Sequence, residues 1–168
     1  IGIEEDKPLI AKFYRPGRWS DAQILEEHAF TLELSEREIP VVPPVIIDGK
    51  TLFEFDGYRF SLSPRRGGRA PELDNRDTLE WMGRFLGRIH AIGALKPFQH
   101  RPKLNIGSFG EEPYAWLPAH DFIPPDLLPA YRSVVEQALD GVGHCYARAG
   151  TDLNMLRLHG DCHAGNVL

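Results

Sequence analysis

The run of residues 158–168, LHGDCHAGNVL, holds the side chains of the sequence best suited to chemistry. Within it, Asp161 precedes Asn166 by five positions. In kinase-type phosphoryl transfer, an aspartate accepts the proton of the attacking hydroxyl and an asparagine five positions later binds magnesium. The reaction needs a carboxylate near the incoming oxygen and a hard oxygen ligand for a metal that neutralises phosphate charge. Asp161 is therefore the candidate catalytic residue and Asn166 the candidate metal ligand.

Residues 158–168 have two other interpretations, a polar turn and a hydrolase metal site. Asp, Gly, His and Asn are common in loops, so the residues could simply shape a polar turn. His159, Asp161 and His163 could instead chelate the metal of a hydrolase, but the spacing from Asp161 to Asn166 would then be unexplained. The full pattern His-Gly-Asp-x-His-x-Gly-Asn fixes six residue types, which strongly disfavours a chance match. His163 either neutralises transferred phosphate or braces the loop.

The pattern resembles the catalytic loop of the aminoglycoside phosphotransferase and choline kinase-like superfamily, which is related to protein kinases. Four further segments resemble one group within this superfamily, the bacterial stress-response serine/threonine kinases. These segments are IAKFYRPGRW at 10–19, EEHAF at 26–30, IPVVPP at 39–44 and LGRIH at 86–90. The resemblance covers nearly the whole chain. It implies an α+β, protein-kinase-like two-lobed fold, truncated after the catalytic loop, and an ATP- and Mg²⁺-dependent transfer of phosphate to protein serine or threonine.

The resemblance also assigns residues to ATP. Lys12 matches the strand lysine that contacts the ATP phosphates, and a helix glutamate should pair with it. Glu27 is the expected partner, and Glu26 is the open alternative; the two side chains point about 100° apart on a helix, so only one of them can face the lysine. The expected hinge, whose backbone would bind the adenine edge, lies around residues 61–65 and gives three further cofactor-binding candidates: Ser61, Leu62 and Ser63.

The resemblance is compatible with more than one acceptor. Aminoglycoside, choline and homoserine kinases share most of this machinery, so a small hydroxyl-bearing acceptor stays open, and so does a nucleotide-binding pseudokinase. Gly160 stands where many protein kinases have an arginine, which predicts no switch by a phosphorylated activation loop. A second magnesium-binding aspartate is expected after Asn166 and a phosphate-binding loop before Ile1. We therefore expect the sequence to be part of a longer polypeptide and nearly inactive alone.

The elements that position these residues follow from local patterns. Residues 8–14 alternate as a strand would, with Lys12 in the middle. Ser20 and Gln23 suit a capping box that opens a helix over 20–37. Short segments at 44–47, 51–55 and 58–62, separated by Asp-Gly turns, predict an antiparallel meander. The predicted N-terminal ATP-clasping lobe covers residues 1–64.

A partial helical lobe, residues 65–168, is predicted to follow a connector at 63–75 that is rich in Pro and Gly. Asp77 and Glu80 suit a capping box for a helix that ends near Gly93. A second apolar stripe, from Leu128 to Val142, predicts another helix before Gly150. Residues 98–125 are expected to be irregular, and the chain is expected to end inside a strand.

Composition limits the classes of partner. The 168 residues are 42% hydrophobic, enough for a core, and carry a net charge of −5. This charge predicts no general attraction to nucleic acid or to an anionic membrane. No apolar stretch approaches the roughly 20 residues that cross a bilayer. The cysteines, Cys145 and Cys162, lack the spacing of a zinc site and are expected to be free thiols. We expect a cytoplasmic monomer, and the resemblance implies that its partner is a protein with a Ser/Thr acceptor, or else a small hydroxyl-bearing molecule.

Overall fold

The computed structural model describes residues 8–150 and 153–167. The elements in chain order are β1 (Leu9–Phe13), α1 (Asp21–Glu36), β2 (Phe53–Phe55), β3 (Tyr58–Pro64), α2 (Arg76–Gly93), a π-helical turn (Gly107–Glu111), α3 (Glu112–Ala119), α4 (Leu128–Ala149) and a 3-10 turn (Ala164–Asn166). Described residues up to Arg101 and from Met155 form one compact unit, and those from Pro102 to Asn154 form the other. The lobe boundary at residue 64 stays a prediction, and the expected strand at Leu168 lies outside the described residues.

The three strands form an antiparallel sheet in the order β1-β3-β2. Lys12 lies opposite Ser61 in the pairing of β1 with β3. The predicted turn between β2 and β3 is present, with Asp56 and Gly57 both at positive φ, the backbone that a two-residue hairpin requires. The sheet therefore places Lys12 next to the strand that the resemblance assigns to the nucleotide.

The predicted strand at 44–47 is wrong. This segment makes only an isolated bridge between Ile47 and Lys50 and a 2.7 Å hydrogen bond from the Val45 N–H to the Leu62 carbonyl. Pro44 has no N–H to donate to a ladder, which favours an irregular path over a full strand. The meander therefore consists of β2 and β3, with 44–47 running beside β3.

The predicted helix over 20–37 is confirmed to within a residue at each end as α1. Its capping box is formed: the Gln23 N–H donates to Ser20 Oγ at 3.3 Å, and the Ser20 N–H donates to Gln23 Oε1 at 2.9 Å. These two bonds satisfy donors that a helix start otherwise leaves open. The first turn of the helix that carries Glu27 is thereby fixed by local sequence.

The helix α2 begins slightly earlier than its predicted cap. The capping residue is Asn75, whose side chain accepts from the N–H groups of Asp77 and Thr78, so the prediction of Asp77 as the cap is wrong. Asn and Asp both accept such bonds, and the chain enters the helix at the first of them. The predicted end at Gly93 is confirmed.

The hydrophobic core of the first unit joins α1 to α2. Phe30 meets Phe98 edge to face, with ring centroids 5.5 Å apart. The buried members of this cluster are Phe30, Leu34, Ile39 and Ile89, with Val41, Ile92 and Phe98 packed against them. Because α1 carries Glu27, this core fixes the helix from which that carboxylate projects.

The second unit is helical by itself. The prediction that residues 98–125 are irregular is wrong for 107–119, where the π-helical turn runs directly into α3, and is confirmed for 98–105 and 120–125. The Pro at the start of α3 is compatible with a first helical turn, where its missing N–H costs no bond. Tyr114 of α3 stacks on Tyr131 of α4 with centroids 5.8 Å apart. No helix in the described ranges is long and apolar enough to cross a membrane.

Candidate functional site

Lys12 and Glu27 form an ion pair. Lys12 projects from the middle of β1, and its Nζ lies 3.1 Å from Oε1 of Glu27 on α1. The lysine side chain is 56% exposed and the glutamate side chain 35%. The structure therefore brings together the two residues that the resemblance pairs, with the ammonium group accessible from solvent. Its contact with ATP stays a prediction.

Glu26, the alternative partner, is committed elsewhere. Its carboxylate accepts the backbone N–H groups of His100 at 2.9 Å and Arg101 at 2.8 Å, and that of Gln99 as well. Burial alone would raise the pKa of Glu26, but these backbone hydrogen bonds outweigh it and hold the pKa below its ordinary value. The ionised carboxylate of Glu26 thus anchors α1 to the loop after α2. Glu27 is the glutamate that faces Lys12.

Arg101 is a second cation on Glu27 that the sequence did not reveal. Its Nη1 lies 3.0 Å from Oε2 of Glu27, the oxygen that Lys12 does not contact. The guanidinium also lies over the Trp19 ring, 4.3 Å from its centroid. Both oxygens of Glu27 are therefore held, which fixes the carboxylate that orients Lys12.

A buried polar network lies beside this ion pair. The Tyr14 hydroxyl is 2.8 Å from His28 Nε2 and 3.2 Å from Ser61 Oγ, and His28 Nδ1 is 2.9 Å from Thr51 Oγ1. Burial lowers the pKa of His28 and favours its neutral form. The network joins Tyr14, the residue after β1, to α1 and β3, and Lys12 Nζ lies over the Tyr14 ring. It satisfies buried polar groups that would otherwise destabilise the fold.

The three hinge candidates lie in β3. Ser61, Leu62 and Ser63 belong to the strand, which continues to Pro64, so the prediction that the connector begins at Ser63 is wrong by two residues. The antiparallel register sets Ser61 opposite Lys12 and Ser63 opposite Ile10. Ser61 is buried and serves the polar network. Adenine binding by these residues stays a prediction.

Asp161 and Asn166 are in direct contact across one short loop. The Asn166 side-chain amide donates to the Asp161 carbonyl at 2.8 Å and to its carboxylate Oδ2 at 3.0 Å. The 3-10 turn at Ala164–Asn166 closes the loop and brings the two side chains together. Both residues are exposed. The loop therefore presents a carboxylate and a carboxamide oxygen side by side to solvent.

The two histidines of the loop brace it. His159 Nδ1 accepts the Asp161 N–H at 3.3 Å, and His163 Nδ1 accepts the Gly165 N–H at 3.1 Å. His163 Nε2 also lies 3.8 Å from Asp161 Oδ1. Across residues 8–150 and 153–167, no three His, Cys, Asp or Glu side chains are grouped to hold a metal. These contacts favour a bracing role for His163.

Arg157, in the segment that leads into the loop, is a buried arginine that sequence reasoning missed. Its side chain is 3% exposed and its Nη1 lies 2.8 Å from Glu33 Oε2 on α1. The hydrogen bond from Arg157, together with Lys96, holds the pKa of Glu33 below its ordinary value in spite of burial. An arginine between Leu156 and Leu158 was the sequence signal, because a cation in an apolar run usually has a buried partner.

The full sequence identifies the family. Residues 1–168 match the model of the phosphotransferase enzyme family. The chain belongs to this family. The predicted kinase-like α+β fold and the predicted superfamily are thereby confirmed, and the small sheet with its packed helices agrees with them.

Curated relatives in the phosphotransferase enzyme family carry kinase names. Stress response kinase A of Salmonella choleraesuis and serine/threonine protein kinase RdoA of Salmonella typhimurium are each 42% identical over 165 residues. Stress response kinase A of Escherichia coli is 41% identical. Each alignment covers 98% of this chain and 49% of the relative. The chain thus spans about half the length of the curated relatives it matches.

Proposed function

We propose that the whole protein is an ATP- and Mg²⁺-dependent serine/threonine protein kinase that acts in bacterial stress response. The observation that carries the proposal is the contact of Asp161 with Asn166 on one exposed loop, in a chain of the phosphotransferase enzyme family. The spacing and the two oxygen donors suit phosphoryl transfer. The names of the relatives support protein serine or threonine as acceptor and stress response as context.

The donor set fits magnesium, which prefers hard oxygen ligands. The Asn166 carboxamide oxygen would hold the ion, whose charge offsets the charge of the transferring phosphoryl group. Lys12, oriented by Glu27, would bind the ATP phosphates. Asp161 would accept a hydrogen bond from the acceptor hydroxyl and take its proton as the oxygen attacks. Catalysis then consists of positioning and electrostatic stabilisation.

The cytoplasm is the proposed compartment. Cys145 and Cys162 are both exposed free thiols, which fits a reducing environment. We also propose that the protein acts as a monomer on a protein substrate. Asp161 is exposed on the catalytic loop, as access by a segment of another chain would require.

The experiment that tests the proposal offers competing acceptors to the full-length protein. ATP labelled at the γ-phosphate and magnesium are supplied with a generic protein substrate, choline, homoserine and an aminoglycoside. We expect label on serine or threonine of the protein. Label on a small molecule alone would contradict the protein kinase assignment while keeping the family's chemistry, and ATP binding without transfer would indicate a pseudokinase.

A further inference from the structure

The segment 155–158, which leads into the catalytic loop, is held by one residue. Within the described part of the chain, every hydrogen bond of this segment is made by Arg157. Its backbone N–H donates to the Gly93 carbonyl at 3.2 Å. Its side chain donates to Glu33 Oε2 at 2.8 Å and to the Ile92 carbonyl at 2.9 Å. Arg157 therefore fixes the segment to α1 and to the end of α2.

The environment of the guanidinium leaves it little freedom. The group lies over the Phe30 ring, 4.2 Å from the centroid, and 5.9 Å from that of Phe98. The Arg157 side chain is 3% exposed, while the Glu33 side chain is 16% exposed. A buried charge of this kind stays in place because loss of its partner is costly. The planar group is held both by its hydrogen bonds and by the aromatic ring beneath it.

The backbone of Arg157 is held as closely as its side chain. A Cβ at position 93 would collide with the Arg157 carbonyl oxygen, so the glycine lets the two backbones approach. Asp161 follows four positions later, a span of at most about 14 Å of extended chain. Glu27 lies six positions before Glu33 on α1, about 9 Å along the helix axis. Arg157 thus connects the helix of the Lys12 pair to the loop of Asp161.

We propose that Arg157 is a positioning residue for Asp161. It holds the catalytic loop at a fixed place relative to the helix that orients Lys12, so that the acceptor hydroxyl and the ATP phosphates can meet in line. The inference rests on the proposed function and deepens it. A small displacement of a positioned group is enough to slow a reaction about 100-fold.

The main test uses the double variant Arg157→Met/Glu33→Gln in the full-length protein. Methionine keeps an apolar side chain on Phe30, and removal of both charges leaves neither one buried and unpaired. We expect kcat to fall between about 10-fold and about 100-fold, with KM for ATP within about threefold, because Lys12 and Glu27 are untouched. Arg157→Lys keeps the charge but loses the planar guanidinium with its several N–H donors. Its kcat should lie between those of the double variant and the wild type.

The control is Lys96→Met. Lys96 Nζ contacts the same Glu33 oxygen at 3.1 Å but is 63% exposed and lies outside the segment that leads to the loop. Its removal should leave kcat unchanged. Wild-type kcat in the double variant would overturn the inference. So would a loss of folded protein with unchanged kcat per folded molecule, since that is the result of a merely structural role.

Hydrogen exchange separates this inference from the proposed function. Amides of residues 158–166 should exchange faster in the double variant than in the wild type or in Lys96→Met, while those of α1 keep their protection. Unchanged exchange over 158–166 would overturn the inference. If the wild type transferred no phosphate, the proposed function would fail, and the exchange result alone would decide whether Arg157 positions the loop.

Discussion

Lys12 and Glu27 form a pair that contributes little to folding. Their side chains are 56% and 35% exposed, and exposed ion pairs typically contribute about 0–1 kcal/mol. Yet Glu27 is held by Arg101 on its second oxygen, and Tyr14 lies under the lysine at 5.1 Å. The energy of the pair does not explain so many contacts, but the proposed binding of ATP phosphates would require an ammonium group that is held in place.

Lys12→Met should therefore separate function from stability. We expect kcat/KM for ATP to fall about 100-fold, while the free energy of unfolding changes by less than about 1 kcal/mol. Steady-state kinetics and urea unfolding of the full-length protein measure the two effects. The control is Lys50→Met, an exposed lysine on the turn before β2. Equal loss of activity in both variants would count against a special role for Lys12.

Substitutions of Glu26 and Glu27 should have different effects on activity and stability. Glu27→Gln should lower activity and barely change stability, because its pair with Lys12 is half exposed. Glu26→Gln should lower the free energy of unfolding by about 1–3 kcal/mol, since a neutral amide is a weaker acceptor for the three backbone N–H groups of residues 99–101. Chemical denaturation and kinetics of each variant test this, and the reverse assignment of effects would contradict it.

Residue types and spacing were enough to select Asp161 and Asn166 as candidates, because their chemistry is tied to local sequence, and the resemblance then added Lys12. Arg101 and Arg157 could not be selected in this way. Each acts through a carboxylate more than seventy positions earlier in the chain. Contacts at that separation depend on packing, so the apolar neighbours of Arg157 indicate a buried partner without identifying it.

At the scale of elements, local rules predicted the start of α1 but not that of α2. Ser20 and Gln23 formed the expected box, because each side chain accepts the backbone N–H of the other residue. Asn75 and Asp77 are both good caps, and the sequence pattern favoured the wrong one. The helix α3 was missed because its prolines suggest a loop, although a proline in the first turn is tolerated.

Glycine-to-alanine substitutions in α2 should have opposite effects. Gly93→Ala places a Cβ against the Arg157 carbonyl, which should destabilise the protein by about 1–3 kcal/mol and displace the segment leading to Asp161. Gly87→Ala meets nothing within 4 Å and should stabilise the same helix by about 0.5–1 kcal/mol. Thermal unfolding of both full-length variants measures the difference. Stabilisation by Gly93→Ala would contradict the close approach.

At the scale of the whole molecule, two carboxylates tie α1 to distant segments. Glu26 binds the loop at 99–101 and Glu33 binds Arg157, and the pKa of each is lowered in the folded protein. A lowered folded pKa means that the unfolded chain binds protons more readily. The stability that these groups supply is therefore present above the unfolded pKa, about 4.3, and is lost as the pH falls through the folded pKa.

Acid should thus weaken the fold in part through these two groups. The free energy of unfolding of the wild type should decrease as the pH falls below about 4.3. Glu26→Gln/Glu33→Gln should be less stable at pH 7 but should lose less stability on acidification. Urea unfolding at a series of pH values measures both curves. Parallel curves would show that other carboxylates govern the acid sensitivity.

The central proposal is that Asp161 accepts the proton of the acceptor hydroxyl during phosphoryl transfer. The measurement that tests it most directly is kcat for magnesium-dependent γ-phosphate transfer from ATP by the full-length protein, compared between wild type, Asp161→Asn and Asp140→Asn. Asp140 is an exposed carboxylate on α4, paired only with the exposed His144 within the described residues. We predict that Asp161→Asn lowers kcat at least about 100-fold with ATP still bound, and that Asp140→Asn leaves it unchanged. Transfer at the wild-type rate by Asp161→Asn would contradict the account.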